Sequence, residues 1–252
     1  MEHPEEPKNM VMEVKWCGFD FGQSLMDPWG LRDSRLFGDL YKELGRPELI
    51  PEKTRKFSIL KEKYGSHDRI NEEHREEICS FVLDDDPRAI KLFGQKEQDL
   101  MAMAEGLEDA LEYLQSEGIE LWVVSELKKT LGPVGTDHVS RFLKGRGLVK
   151  YFEGVVTPQG KIDLKNDSID PRYKGCTKRE GTLYDVLSQD LKEQGIEPYD
   201  AVMVGDKPET DIDPAHERGF KTIQYTGFID RGESKADFVI YSFKELKTIL
   251  KK

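Results

Sequence analysis

An α/β fold, a parallel sheet covered on both faces with an inserted helical cap, follows from three features of the sequence. From Glu105 onward, short apolar runs alternate with segments of helical spacing, the signature of a parallel sheet covered on both faces. Residues from about 28 to 104 carry helical spacing alone. An isolated apolar run, residues 13–24, reads as a strand and turn ahead of both. A helical block between a first strand and the rest of a sheet is most simply a cap, joined by hinges near Met26–Gly30 and Met101–Gly106. The expected division is therefore a frayed, polar segment 1–12, a core of 13–27 and 105–252, and a cap of 28–104.

In the cap, Ser34–Leu44, Glu52–Tyr64, Glu72–Leu83 and Pro87–Met103 place apolar residues on one helical face. Pro51, Gly65 and the run Asp84-Asp85-Asp86-Pro87 separate them. The core then predicts a helix over Glu108–Ser116, a buried strand over Ile119–Ser125, a helix over Asp137–Lys144 and a short strand over Gly154–Thr157. Thr157–Asp163 reads as a hairpin, and Lys165–Thr177 as a long polar loop in which Arg172 and Lys174 could meet an anion. Lys178–Gln194 reads as a helix, Ala201–Gly205 as a strand and Asp211–Arg218 as a helix. Lys221–Tyr225 and Phe238–Tyr241 are expected strands, and Phe243–Leu250 the closing helix. Trp16 and Trp122 fall in predicted strands and belong to the core, whereas Trp29 follows the first turn.

Charged residues make up 35% of the 252 and the net charge is -11, with the acids spread along the chain. That balance argues for a soluble protein and against nucleic acid or an anionic membrane surface as partner; the small anionic metabolite expected as partner follows from the site residues below. No apolar run approaches a membrane span, and the amino terminus has no signal-peptide core. Cys17, Cys79 and Cys176 show neither metal-ligand spacing nor a disulfide framework, which suggests a reducing, cytoplasmic setting. Whether a second copy or another protein binds the chain is left open.

Chemistry gathers at the predicted strand ends. Asp20 and Ser24 follow the first strand, Ser125 and Glu126 follow the second, Lys178 precedes the Leu183-Tyr184 helix, and Asp206 and Asp211 follow Ala201–Gly205. In open α/β sheets, ligands bind at that edge. A lone strand-end aspartate is commonly a turn former or helix cap; an ordered set is less easily explained that way. A carboxylate can attack phosphorus or carbon and form an aspartyl intermediate. Phosphoryl oxygens need positive charge, which a lysine and magnesium can supply. Magnesium prefers a few carboxylates and water, so Asp20, Asp206 and Asp211 are candidate ligands. Ser24, Ser125, Glu126 and Lys178 are candidate substrate-binding residues, and Asp20, Ser125 and Lys178 candidate catalytic residues.

With these residues in order, the chain resembles the haloacid dehalogenase (HAD) superfamily of hydrolases over nearly its whole length. Phe19-Asp20-Phe21-Gly22-Gln23-Ser24-Leu25-Met26-Asp27 is similar to the family's first motif and Ser125 to its second. Lys178-Arg-Glu-Gly-Thr-Leu-Tyr184 is similar to the third, and Val204-Gly205-Asp206-Lys-Pro-Glu-Thr-Asp211-Ile212 to the fourth. The resemblance implies a Rossmann-like, doubly wound core, a helical cap between the first two motifs, and a magnesium-dependent hydrolase with Asp20 as nucleophile.

Gly22 departs from the pattern. In members acting on phosphate monoesters, an aspartate there protonates the leaving alkoxide and then activates water, help worth about 10²–10⁴-fold. Glycine leaves only its backbone carbonyl as a magnesium ligand. Three readings follow: a hydrolase of phosphorylated or phosphonate-type metabolites whose leaving group needs no such acid or finds another, an impaired homologue that binds a ligand or a protein, and a carbon–halogen hydrolase. The retained pair Asp206 and Asp211 argues against the last, since haloacid dehalogenases need no magnesium. Gln23, Glu126, Asp27, His67 and His74 are candidate proton carriers. Lys61 and Lys63 could serve as a Schiff-base amine in a phosphonatase-like variant.

Overall fold

The computed structural model describes residues 11–27, 32–65, 70, 74–126, 138–165 and 168–252. Its strands, in chain order, are β1 (Met12–Glu13), β2 (Trp16–Phe19), β3 (Met26–Asp27), β4 (Ala102–Met103), β5 (Glu120–Val124) and β6 (Gly154–Thr157). They continue with β7 (Gly160–Asp163), β8 (Ile169–Asp170), β9 (Ala201–Gly205), β10 (Lys221–Tyr225), β11 (Phe238–Ile240) and β12 (Leu250–Lys251). An eight-stranded sheet runs β11-β10-β9-β2-β5-β6-β7-β8, parallel from β11 to β6 and antiparallel at β7 and β8. Every residue of β2 and β9 is buried, as parallel strands covered on both faces require. This is the predicted α/β arrangement with a mostly parallel central sheet. Among the described residues, no helix is long and apolar enough to cross a membrane.

The chain divides into two compact units, one of residues 1–25, 103–126 and 148–252 and one of residues 26–102 and 127–147. The first contains the eight-stranded sheet. Its core includes Trp16, Trp122, Leu183, Tyr184, Leu187, Met203 and Phe220, with Trp16 and Phe220 edge to face at 6.5 Å. Trp16 and Trp122 are therefore core residues, as expected. Gly18 lies under the Trp16 indole, where an added Cβ would come within 2.4 Å of the ring.

The second unit packs amphipathic helices, Asp33–Glu43, Ile50–Tyr64 and Pro87–Leu100, around Leu36, Phe37, Leu40, Phe57, Leu60, Val82 and Phe93. Phe37 meets Phe57 at 5.4 Å and Phe93 at 5.9 Å. Asp86 caps the third helix by accepting from the Arg88 and Ala89 amides, which explains why Asp-Pro opens it. Helix His138–Gly145 also belongs here, not with the alternating portion of the chain: it packs on Pro87–Leu100, and Arg146 donates to the Met101 and Gln98 carbonyls.

Several boundaries differ from the sequence reading. Met12, expected to be frayed, is buried in β1, which pairs with β12 at the opposite end of the chain; that partner is invisible to local patterning. The fourth cap helix stops at Leu100 and yields to β4, and the third is a helical turn Arg75–Glu77 running into a π-type turn Ile78–Val82. The Asp211–Arg218 segment is a π-type turn, Pro208–Ile212, followed by the short helix Asp213–His216. The closing segment breaks into Phe243–Glu245, Leu246–Ile249 and β12. Trp29, His67 and part of the first hinge lie outside the described residues.

The supposed polar loop 165–177 is tied down at its described positions. It contains β8 and a 3₁₀ turn, Pro171–Tyr173, with Tyr173 fully buried. Arg172 pairs with Asp170, Asp190 and Glu193, so it is committed to structure and not to an incoming anion. Buried Asp190 also accepts from Lys161 at 2.5 Å and from the Tyr173 hydroxyl at 3.0 Å. Asp190→Ala would strand these donors and is expected to cost about 3 kcal/mol, read as a lower urea midpoint at unchanged slope.

Candidate active site

The strand register assembles the site. Phe19 of β2 lies opposite Val123 of β5 and Val204 of β9. Beyond the strand ends, the Asp20 amide donates to the Val204 carbonyl at 2.8 Å and the Ser125 amide to the Val156 carbonyl at 2.9 Å. Asp20, Ser125 and Gly205-Asp206 are thereby fixed at the carboxyl edge of adjacent strands, the position at which open parallel sheets carry their ligand groups.

Asp211 returns to this edge through the tight turn after β9. Its Oδ2 accepts from the Lys207 amide at 3.0 Å, and the Tyr184 hydroxyl donates to the Thr210 carbonyl at 2.9 Å. Gly205 permits the approach: an added Cβ would lie 2.4 Å from Asp211 Cβ. Lys178 does not lie on the helix expected to begin with it. That helix is Thr182–Glu193, and Lys178 precedes it in a turn where the Gly181 amide donates to the Lys178 carbonyl. Its own amide donates to Glu126 Oε2 at 2.7 Å, so Glu126 positions the Lys178 backbone.

The Lys178 ammonium is fully buried and joins two acids, donating to Asp20 Oδ1 at 2.6 Å and Asp211 Oδ1 at 2.7 Å. Burial works against its charge, yet Asp20 and Asp211 hold its pKa well above the ordinary lysine value. Carboxylate oxygens of Asp20, Asp206 and Asp211 lie within 4.8 Å of one another, all three residues buried. Burial first, and the Asp211 charge second, push the Asp20 carboxyl up to about 7 against the pull of Lys178. Asp206 is raised for the same leading reasons. Glu126 is also raised, chiefly by burial, although the Lys178 amide opposes the shift.

This donor set fits a hard divalent cation. Three clustered carboxylates supply oxygen ligands, and Asp206 Oδ1 is buried without a hydrogen-bond partner among the described residues. A buried, orphaned carboxylate oxygen is costly unless a cation or water meets it.

The shifted Asp20 pKa has a consequence for stability without metal. A folded-state value above the unfolded one means that the folded chain holds a proton which the unfolded chain has released between about pH 4 and 7. Stability therefore falls as pH rises through that window and levels off above it. In chelator, Asp20→Asn is expected to lose this dependence on pH, gaining stability relative to wild type as pH rises from about 4 to above 7. The difference should vanish toward pH 4, as measured by denaturant unfolding across pH.

The other candidates are placed as follows. The Ser24 hydroxyl is fully buried and has no hydrogen-bond partner among the described residues. Gly22 is not among the positive-φ residues, and an added Cβ would meet no atom of the described residues within 4 Å. Lys61 pairs with Asp33 at 2.7 Å and Lys63 with Glu77 at 3.3 Å. A hydrogen bond with Tyr64 leads in raising the Lys63 pKa, the wrong direction for a neutral amine nucleophile. His74 stacks on Tyr64 at 3.6 Å, and Asp27 lies in the second unit. The residue missed by sequence reasoning is Arg231, on the loop after β10. Its Nε donates to Asp206 Oδ2 at 2.6 Å and its Nη2 to the side chain of Gln23. It stands 25 positions from Asp206 in a stretch without a motif, so no spacing announces it.

Residues 175–246 match a family model described as HAD-hydrolase-like. Among curated proteins, none matches the sequence. Solved structures share the fold. A HAD phosphatase from Thermococcus onnurineus superposes with a TM-score of 0.59 and 22% identity, covering 93% of this chain and 96% of that one. The 2-haloacid dehalogenase from Pseudomonas syringae pv. Tomato DC3000 gives 0.55 and 18%, over 92% and 96%. The putative HAD-hydrolase YfnB from Bacillus subtilis, bound to magnesium, gives 0.53 and 13%, over 93% and 97%.

Proposed function

We propose that this chain is a HAD-like hydrolase that uses Asp20 as a nucleophile on a small phosphorylated or phosphonate-type metabolite with a good leaving group. The observation that carries the reading is the buried Lys178 ammonium held between Asp20 and Asp211. A lysine in that place draws the buried carboxylate toward its ionised form, against burial and the Asp211 charge, and offers positive charge beside the phosphoryl oxygens.

The step balances without an external oxidant. An Asp20 carboxylate oxygen forms a bond to phosphorus while the bond from phosphorus to the leaving group breaks, and the electron pair departs with that group. Water then attacks the aspartyl phosphate, releasing phosphate and restoring the carboxylate. Magnesium, for which Asp20, Asp206, Asp211 and the Gly22 carbonyl are the proposed ligands, supplies further positive charge to the phosphoryl group when bound. Ser24 and Ser125 hydroxyls are the proposed donors to its remaining oxygens. Glu126 holds the Lys178 backbone and so acts through that residue.

Gly22 selects the leaving group. With no carboxylate two residues past the nucleophile, departure of a basic alkoxide lacks its proton donor, whereas an acyl phosphate or another acidic leaving group needs little help. The test is a hydrolysis screen, with and without magnesium, across phosphomonoesters, acyl phosphates, phosphonates and haloacids. Magnesium-dependent turnover favouring the more acidic leaving groups is expected. Haloacid turnover in chelator would replace this reading with carbon–halogen hydrolysis. Silence across the screen, with phosphate still bound, would replace it with a binding role.

A further inference from the structure

The acidic triad contains more positive charge than the expected lysine supplies. Lys178 serves Asp20 and Asp211, while Asp206 has a cation of its own in Arg231, whose Nε lies 2.6 Å from Oδ2. Asp206 is fully buried and the Arg231 side chain is 29% exposed, so the guanidinium reaches the acid from the solvent side of the loop. A second hydrogen bond, from Nη2 to Gln23 Oε1, fastens the same guanidinium to the turn that follows Asp20. Gln23 adopts a left-handed backbone conformation, φ 64°, which turns its side chain away from the course of an ordinary extended residue. The other carboxylate oxygen of Asp206, Oδ1, is buried and unpartnered among the described residues.

We propose that Arg231 is a built-in counter-cation of the triad, one that a divalent ion must overcome, so that the site binds its metal weakly and exchanges it readily. The inference rests on the magnesium-dependent reading above. A fixed positive charge on one oxygen of a metal-directed carboxylate repels an ion arriving at the other, and in a buried site that repulsion is poorly screened. The same charge neutralises Asp206 when no metal is bound, when three clustered carboxylates would otherwise repel. Arginine suits this use because its planar fork can hold Asp206 and Gln23 together and never loses its proton.

The test is manganese binding followed by electron paramagnetic resonance, in the absence of substrate. Wild type is compared with Arg231→Gln, Arg231→Lys and Gln23→Ala, each checked for folding by thermal melts in chelator. Arg231→Gln is expected to tighten manganese binding by about tenfold or more, by removal of the nearby charge. Arg231→Lys should stay near wild type, since the charge is kept. Gln23→Ala, which frees the guanidinium from its tether while leaving the triad intact, should tighten binding by a smaller factor. Equal or weaker binding in both Arg231→Gln and Gln23→Ala would overturn the proposal and make Arg231 a residue that merely positions Asp206. Absence of manganese binding in every protein would overturn it too. Because the readout is cation affinity, this failure is separable from loss of hydrolysis, which bears on Asp20.

Discussion

Asp20→Asn is expected to abolish magnesium-dependent hydrolysis, lowering turnover by at least about 10³-fold while the chain stays folded. Asparagine preserves the size of the side chain and can still accept from Lys178, so the loss would report nucleophilicity and not collapse of the site. The control is built into the electrostatics. Burial and the neighbouring Asp211 charge push Asp20 up to about 7, so removing its charge should stabilise the metal-free protein above neutral pH. A variant that is more stable yet inactive is difficult to explain by damage. Acid-quenched wild-type enzyme should carry phosphate on Asp20 after brief exposure to an acyl phosphate, detected by peptide mass, and the Asn variant should carry none. Comparable turnover in the Asn variant would remove Asp20 from the chemistry.

Gly22→Asp is expected to raise turnover of ordinary phosphomonoesters by about 10²–10⁴-fold, the range typical of a positioned general acid and base. A Cβ at this position meets no atom of the described residues within 4 Å, and the glycine has no left-handed backbone to lose. Activity toward acyl phosphates should change much less, because their leaving groups need no proton. The ratio of the two rates therefore separates a gained acid from a general improvement. A parallel rise for both substrate classes, or none, would mean that the missing carboxylate does not limit the reaction. Gln23 sits beside this position and holds Arg231, so cation affinity should be measured alongside turnover.

Much of the site is legible in the sequence because its members follow local rules. Asp20, Ser125 and Asp206 each stand immediately past an apolar run, and an apolar run buried on both faces is a parallel strand with its carboxyl end at the ligand edge. Asp206 and Asp211 share one turn, so their proximity is a matter of short-range chain geometry. Other features depend on partners distant in sequence. β1 exists because β12 pairs with it. Arg172 reads as an available cation until Asp170, Asp190 and Glu193 claim it. Glu126 reads as a substrate ligand until the Lys178 amide is found on it. Helix His138–Gly145 was legible as a helix, but its place beside Pro87–Leu100 was not.

By itself, then, the amino-acid sequence determined the parallel α/β sheet, the helical insertion, the order of the acids and lysine at the strand ends, and the absence of a carboxylate at position 22. These are consequences of periodicity and of residue identity, and both are written along the chain. The tertiary structure alone shows that Lys178 bridges Asp20 and Asp211, that burial and Asp211 push the Asp20 carboxyl upward, that a Cβ at Gly22 meets no described residue, and that Arg231 pairs with Asp206. Each of these depends on distance and burial between residues far apart in sequence. Electrostatic energy follows spatial separation and exposure to water, and neither is encoded in local spacing.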